Sequence, residues 1–180
     1  MVTQTLFFAF IAVIALQRLF ELRKNRKNVQ ALVARGGREH ASRHYVAMVL
    51  MHALWFASIV YEVGVVGREF NWLLFAVAAV LTLCGNTLRF LSMRALGERW
   101  TTRIVTLPGA KPITGGIYRY FRHPIYVGVS LEIAGIPLLH SAYVTAAAFT
   151  VLNLLVLRVR IREEEKALRS EGGYDEAFGL

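Results

Sequence analysis

"YRYFRHPIYVGVSLEIAG", residues 118–135, sets three tyrosines, two arginines and a histidine directly against an apolar run that holds a single glutamate. Pro124 suits the first turn of a helix, where a missing N–H is no loss. The stretch therefore reads as the point at which a polar segment enters an apolar helix, and the rest of the chain has to say what kind of helix that is.

The 180-residue chain is 56% hydrophobic with a mean hydropathy of +0.45, too apolar for an ordinary soluble domain. Runs at about 3–22, 44–66 and 70–90 are each long enough, at 1.5 Å per residue, to cross about 30 Å of hydrocarbon. Two shorter runs, about 124–139 and 141–157, are separated only by His140 and Ser141. They predict a tight antiparallel helical hairpin, with Pro137 helping to end its first arm. The expected fold is an all-α integral membrane protein of about five transmembrane helices with a cytoplasmic cofactor-binding segment. Residues 1–88 would supply the first three helices, and 89–180 a catalytic region with the hairpin and a cytoplasmic C-terminal helix.

The basic residues test this topology. Seven lie in 23–43, seven in 89–122 and five in the tail from Arg158, while the short loop near 67–69 holds only Arg68. By the positive-inside rule the two long connections and the tail face the cytoplasm and the N-terminus lies outside. A formal net charge of +9 thus reads as topology and not as a nucleic-acid footprint.

Several chemistries are disfavoured. No G-x-G-x-x-G opens a helix, and too little polar chain remains for a soluble nucleotide-binding domain. The lone Cys84 has no cysteine partner and reads as a small buried hydrophobe. His40, His44 and His52 share a helical stripe, but so few histidines do not make a di-iron site, and no metal is expected.

The polar residues inside or beside apolar runs need partners. An ionised Glu132 near mid-helix would cost about 2.5–3.5 kcal/mol on insertion scales, so it must be satisfied or kept protonated. Gly128, Glu132 and Gly135 share one face with small residues, which admits another helix or a ligand. Thr82, Asn86 and Arg89 line one face at the end of the third helix, either as a snorkelling pair or as the wall of a cavity. Arg89 and Glu132 are accordingly candidate substrate-binding residues. The tail "RVRIREEEKAL" sets Arg160 four residues before Glu164, with Glu165 beside it. The hairpin returns this tail to the membrane face where Arg119, Arg122, His123, Pro124 and the tyrosines stand. Anion-binding donors would then face carboxylates across one pocket, which suits a zwitterion with an amino-acid moiety.

"GGIYRYFRHPIYVG" resembles the G-x-Y-x-x-x-R-H-P-x-Y-x-G signature of the isoprenylcysteine carboxyl methyltransferase family. "RIREEEKAL" is similar to the Arg and following Glu pair that close its catalytic region, and "LGERWTTRI" to the stretch that begins its cytoplasmic part. The resemblance spans about 89–168 and implies an integral membrane enzyme that uses S-adenosylmethionine. It implies Tyr118, His123, Pro124, Tyr126, Gly128, Glu164 and Glu165 around the cofactor, and catalytic roles for Arg122, Arg160 and Glu164, with both arginines toward the acceptor. The stretch 88–139 is similar to a bacterial subgroup typified by alkylpyrone O-methyltransferases. "EGGYDEAFGL" departs from the family's usual ending, because it lacks a phenylalanine and moves the tyrosine to 174.

The expected partners are a lipophilic small-molecule acceptor and membrane lipids, with no nucleic acid. The expected location is a bacterial inner membrane, with the site on the cytoplasmic face. The competing readings are a phospholipid N-methyltransferase and a non-enzymatic protein that binds lipid headgroups.

Overall fold

The computed structural model describes residues 2–40, 43–171 and 173–179, without the side chains of residues 43 and 44. The apolar runs of the sequence become five helices: α1 (Val2–Ala34), α2 (Arg43–Gly64), α3 (Trp72–Leu96), α4 (Pro124–Leu138) and α5 (Tyr143–Ser170), followed by a short α6 (Tyr174–Phe178). Among the described residues, four of them (α1, α2, α3 and α5) are long and apolar enough to cross a membrane, while α4 is a shorter apolar helix. At 15 residues it spans roughly 22 Å. The protein is an all-α integral membrane protein, and leucines, valines and aromatic residues such as Trp72 and Leu73 cover its outer surface, as a hydrocarbon solvent demands.

Helices α3 and α4 approach closely because glycines face each other. A Cβ on Gly85 would lie 2.7 Å from the Gly128 carbonyl oxygen, and one on Gly135 would lie 2.8 Å from Thr82 Oγ1. The Gly128–Glu132–Gly135 face is therefore a helix-packing seam, filled by α3. The Trp55 indole of α2 donates to the Ile133 carbonyl of α4 at 3.2 Å. Around it Phe7, Ile11 and Ile14 of α1 close the core against Ile59, Val63, Ala78, Ile133 and Ile136.

The hairpin turns as the sequence requires. Pro137 sits in the last turn of α4, and Ser141 takes a positive φ of 58° in the reversal. Helix α5 has no side-chain cap of its own. Glu62 of α2 supplies one, accepting from the Thr145 amide at 2.7 Å and the Val144 amide at 3.2 Å. A carboxylate at a helix N-terminus is matched both to the orphan amides and to the dipole.

Two features go beyond the sequence reading. Helix α1 does not stop near residue 22 but continues as polar helix to Ala34. Beyond it a three-residue strand β1 (Arg38–His40) pairs antiparallel with β2 (Ile104–Thr106). Together they form a scaffold under the segment that joins α3 to α4.

Candidate functional site

The site is assembled where α4 begins and α5 leaves its apolar stretch. Helix α4 starts at Pro124 with His123 as its N-cap residue, and the hairpin brings Arg160, Glu164 and Glu165 alongside. The Tyr126 hydroxyl donates to Glu164 Oε2 and accepts from Arg160 Nε at 2.8 Å. The i, i+4 pair of the tail is thus joined through a tyrosine from the neighbouring helix. His123 stacks on Tyr126 at 5.6 Å between ring centroids, and its Nε2 meets Glu165 Oε1 at 2.9 Å. Arg169 Nη2 and Arg122 Nη1 approach Glu165 at 3.2 and 3.8 Å.

Arg160 is buried. Its Nη2 donates to the Thr102 carbonyl at 2.8 Å, while Nη1 is buried with no hydrogen-bond partner among the described residues. The Tyr174 hydroxyl of α6 is also buried and unpartnered, its ring 5.7 Å from the Arg169 guanidinium. Two buried donors without partners thus stand near two carboxylates, and an unmatched buried donor costs about 1–3 kcal/mol. Burial, with the Glu165 charge, pushes the Tyr174 phenol up to about 12. Burial, reinforced by Glu164, raises that of Tyr118 too. Both rings therefore present O–H groups at neutral pH.

Some residues singled out by sequence lie apart from this cluster. Arg119 and Tyr120 are exposed, and Arg122, exposed as well, touches the cluster only at Glu165 among the described residues. Gly128 packs against Gly85 and Arg89. Arg89 and Glu132 belong to a second buried assembly: Glu132 takes Arg89 Nη1 at 3.1 Å and Arg18 Nη2 at 2.6 Å. Glu21 takes Arg89 Nη2 at 2.5 Å and Arg18 Nη1 at 2.9 Å. His40 contacts Thr106 and His52 its own helix carbonyl, while the His44 side chain lies outside the described residues. A groove of 490 Å³ runs along α1, lined by Val13, Leu16, Gln17, Phe20, Glu21 and Lys24.

Thr102, Asn25, Arg18 and Glu21 carry structure that the sequence reading did not single out. For Arg18 a local signal exists, because a charged residue inside an apolar run needs a partner. For Thr102 and Asn25 no local signal distinguishes them from loop and surface residues.

The fold and the cluster define a class: small all-helical membrane bundles with a buried polar cluster at the start of a short helix. Residues 76–170 match the isoprenylcysteine carboxyl methyltransferase (ICMT) family. The chain belongs to that family, and is an integral-membrane methyltransferase. It is 36% identical over 165 residues, 91% of this chain and 97% of the relative, to "Uncharacterized protein YpbQ" of Bacillus subtilis (strain 168). It is 27% identical over 160 residues, 88% of this chain and 92% of the relative, to an "Uncharacterized protein" of Haemophilus influenzae (strain ATCC 51907 / DSM 11121 / KW20 / Rd). No solved structure matches the chain.

Proposed function

We propose that the protein transfers a methyl group from S-adenosylmethionine to an oxygen of a lipophilic small molecule, such as a long-chain alkylpyrone or an isoprenylcysteine-like compound. The observation that carries this reading is the Arg160–Tyr126–Glu164 chain beside the His123–Glu165 pair, with Arg160 Nη1 and the Tyr174 hydroxyl buried and unpartnered. The donor set fits the cofactor: Glu164 and Glu165 suit its ammonium and sulfonium charges, and the start of α4 with the free Tyr174 hydroxyl suits its carboxylate. Tyr118, His123, Pro124 and Tyr126 would form the wall around it.

When bound, the cofactor supplies an electrophilic methyl group on a positive sulfur. The acceptor oxygen would take that methyl group with the C–S bonding pair left on sulfur, so an anionic acceptor would ask no base of the protein. The protein's part is alignment and exclusion of water. Arg160 holds the acceptor oxyanion through Nη1, with Arg122 the second arginine on that side. If the acceptor arrives as a neutral phenol or enol, its proton passes to Glu164, either directly or through the Tyr126 hydroxyl. Through their ring with Arg18 and Glu21, Arg89 and Glu132 hold the helices against which the acceptor rests. Its apolar tail lies along the α1 groove, which contains Phe20 and Leu16 and ends at Glu21 and Lys24. The basic ends of α1 and α5 support a cytoplasmic-face site in a bacterial inner membrane by the positive-inside rule.

The test is detergent-purified protein offered labelled S-adenosylmethionine with a long-chain hydroxypyrone, a phenol, a prenylcysteine and phosphatidylethanolamine, the products being read by mass spectrometry. Methylation at oxygen of any of the first three supports the reading. Methylation at the phospholipid amine would make it a phospholipid N-methyltransferase. Phosphate or headgroup binding without cofactor binding would make it a non-enzymatic lipid binder.

A further inference from the structure

We infer that Asn25, on the polar continuation of α1, is a positioning residue that sets the orientation of the Arg160 guanidinium through the backbone of Thr102. The inference rests on the methyltransferase reading above, and concerns a helix outside the residues that match the family, 76–170.

Past its apolar run α1 carries Arg23, Lys24, Arg26 and Lys27, all exposed, yet Asn25 and Asn28 among them are buried. They stand three apart, on one face of the helix. Asn25 Oδ1 accepts the Thr102 amide at 2.8 Å, and Asn28 Nδ2 donates to the Trp100 carbonyl at 2.7 Å. The Thr102 carbonyl accepts Arg160 Nη2 at 2.8 Å. Thr102 is thus gripped by α1 through its N–H and by α5 through its C=O.

This grip matters because, among the described residues, Arg160 makes two hydrogen bonds. Tyr126 Oη receives Nε at 2.8 Å, the Thr102 carbonyl receives Nη2, and together they fix the plane of the guanidinium. That plane aims Nη1, the buried donor without a partner, at the acceptor oxygen. Without Asn25 the segment keeps its Asn28 anchor at Trp100 and the β1–β2 pairing from Ile104 onward, but the Thr102 peptide between them is free to tilt. Nη1 then swings while Tyr126, Glu164, His123 and Glu165 stay where they are. Misplacing a reacting contact by about 1 Å can reduce turnover by about 100-fold, so the loss falls on the acceptor side alone.

The experiment compares wild type, Asn25→Ala, Asn25→Asp, Arg160→Lys and Asn25→Ala/Arg160→Lys in detergent. S-adenosylhomocysteine affinity is measured by calorimetry, and methyl transfer is followed from labelled S-adenosylmethionine to a long-chain 4-hydroxy-2-pyrone. Asn25→Ala is expected to lower kcat/KM for the pyrone about tenfold or more, with S-adenosylhomocysteine affinity held within about twofold. Asn25→Asp, which keeps an acceptor for the Thr102 amide, should restore most of the rate. On the Arg160→Lys background Asn25→Ala should change the rate less than about twofold, because its route of action is already gone. Asn25→Ser, with its shorter reach, carries the same expectation and is read if Asn25→Ala does not fold. Wild-type turnover in Asn25→Ala, an equal fall in cofactor affinity, or full additivity with Arg160→Lys would overturn the inference. A folded wild type that neither binds S-adenosylhomocysteine nor methylates any acceptor would bring down the proposed function itself, and this inference with it.

Discussion

Two buried ionic assemblies lie in this bundle, and they differ in one respect. The ring of Arg18, Glu21, Arg89 and Glu132 is closed: two guanidinium groups meet two carboxylates, and each charge touches two of the other sign. The cluster of Tyr126, Arg160, Glu164, His123 and Glu165 is open: Arg160 reaches Glu164 only through the Tyr126 hydroxyl and, among the described residues, makes no ion pair. Each assembly nevertheless keeps one buried guanidinium N–H without a hydrogen-bond partner among those residues, Arg89 Nε in the ring and Arg160 Nη1 here. A closed ring within a membrane bundle is what charges look like when they hold helices together. An open one is what they look like when part of the complement is to come from a ligand. The most conspicuous carboxylate in the sequence, Glu132 in mid-helix, belongs to the closed assembly.

Breaking the ring should produce the largest effect. Glu132→Ala leaves two buried arginines short of a carboxylate, and breaking a buried pair in this way typically costs about 3–5 kcal/mol. Thermal unfolding in detergent should show a large fall in Tm, whereas Arg160→Ala, which gives up two hydrogen bonds but no ion pair, should show a clearly smaller one. Comparable falls in both would erase the distinction between the two assemblies.

In the open cluster the order of effects reverses. Arg160→Ala removes the donor proposed for the acceptor oxyanion, and losses of about 100-fold in turnover follow removal of such donors. S-adenosylhomocysteine should still bind. Glu164→Ala and His123→Ala should each weaken S-adenosylhomocysteine about tenfold, equivalent to about 1.4 kcal/mol, as read by calorimetry.

The smallest effects concern Tyr174. Removing its unpartnered hydroxyl in Tyr174→Phe should raise the stability of the ligand-free protein at neutral pH by up to about 1–3 kcal/mol and weaken the cofactor product by only about threefold, within the range of one neutral hydrogen bond. Its phenol is held at about 12 by burial and the charge of Glu165, against about 10 in an unfolded chain. The folded state thus keeps a proton that the unfolded state releases. Stability present below pH 10 should fall as pH rises toward 12, and a pH series of melting curves should show Tyr174→Phe losing less than wild type over that window.

The sequence carried the fold to the extent that the fold is made of apolar runs. Five such runs became five helices, and the two residues between the last two became a reversal, because burial in hydrocarbon is dictated locally by composition. The meeting of residues 118–126 with 160–165 was legible for the same reason, since a hairpin of equal arms returns the chain to its starting level. What could not be read was pairing at a distance. Arg18 and Glu132 are 114 residues apart, and β1 finds β2 through three residue pairs with no strand-like pattern in either segment. The polar end of α1 has no apolar periodicity to announce it, and Asn25 and Asn28 are hidden among lysines and arginines that remain exposed. Their burial is decided by the loop they grip.

The most direct test of the account is S-adenosylhomocysteine binding by calorimetry to detergent-purified wild type and Glu164→Ala, with a melting curve taken on each sample. The account predicts binding by wild type, binding at least about tenfold weaker by Glu164→Ala, and closely similar melting curves. A folded wild type that binds none, or a Glu164→Ala variant that binds as tightly as wild type, would contradict the claim that the open cluster is where the cofactor sits.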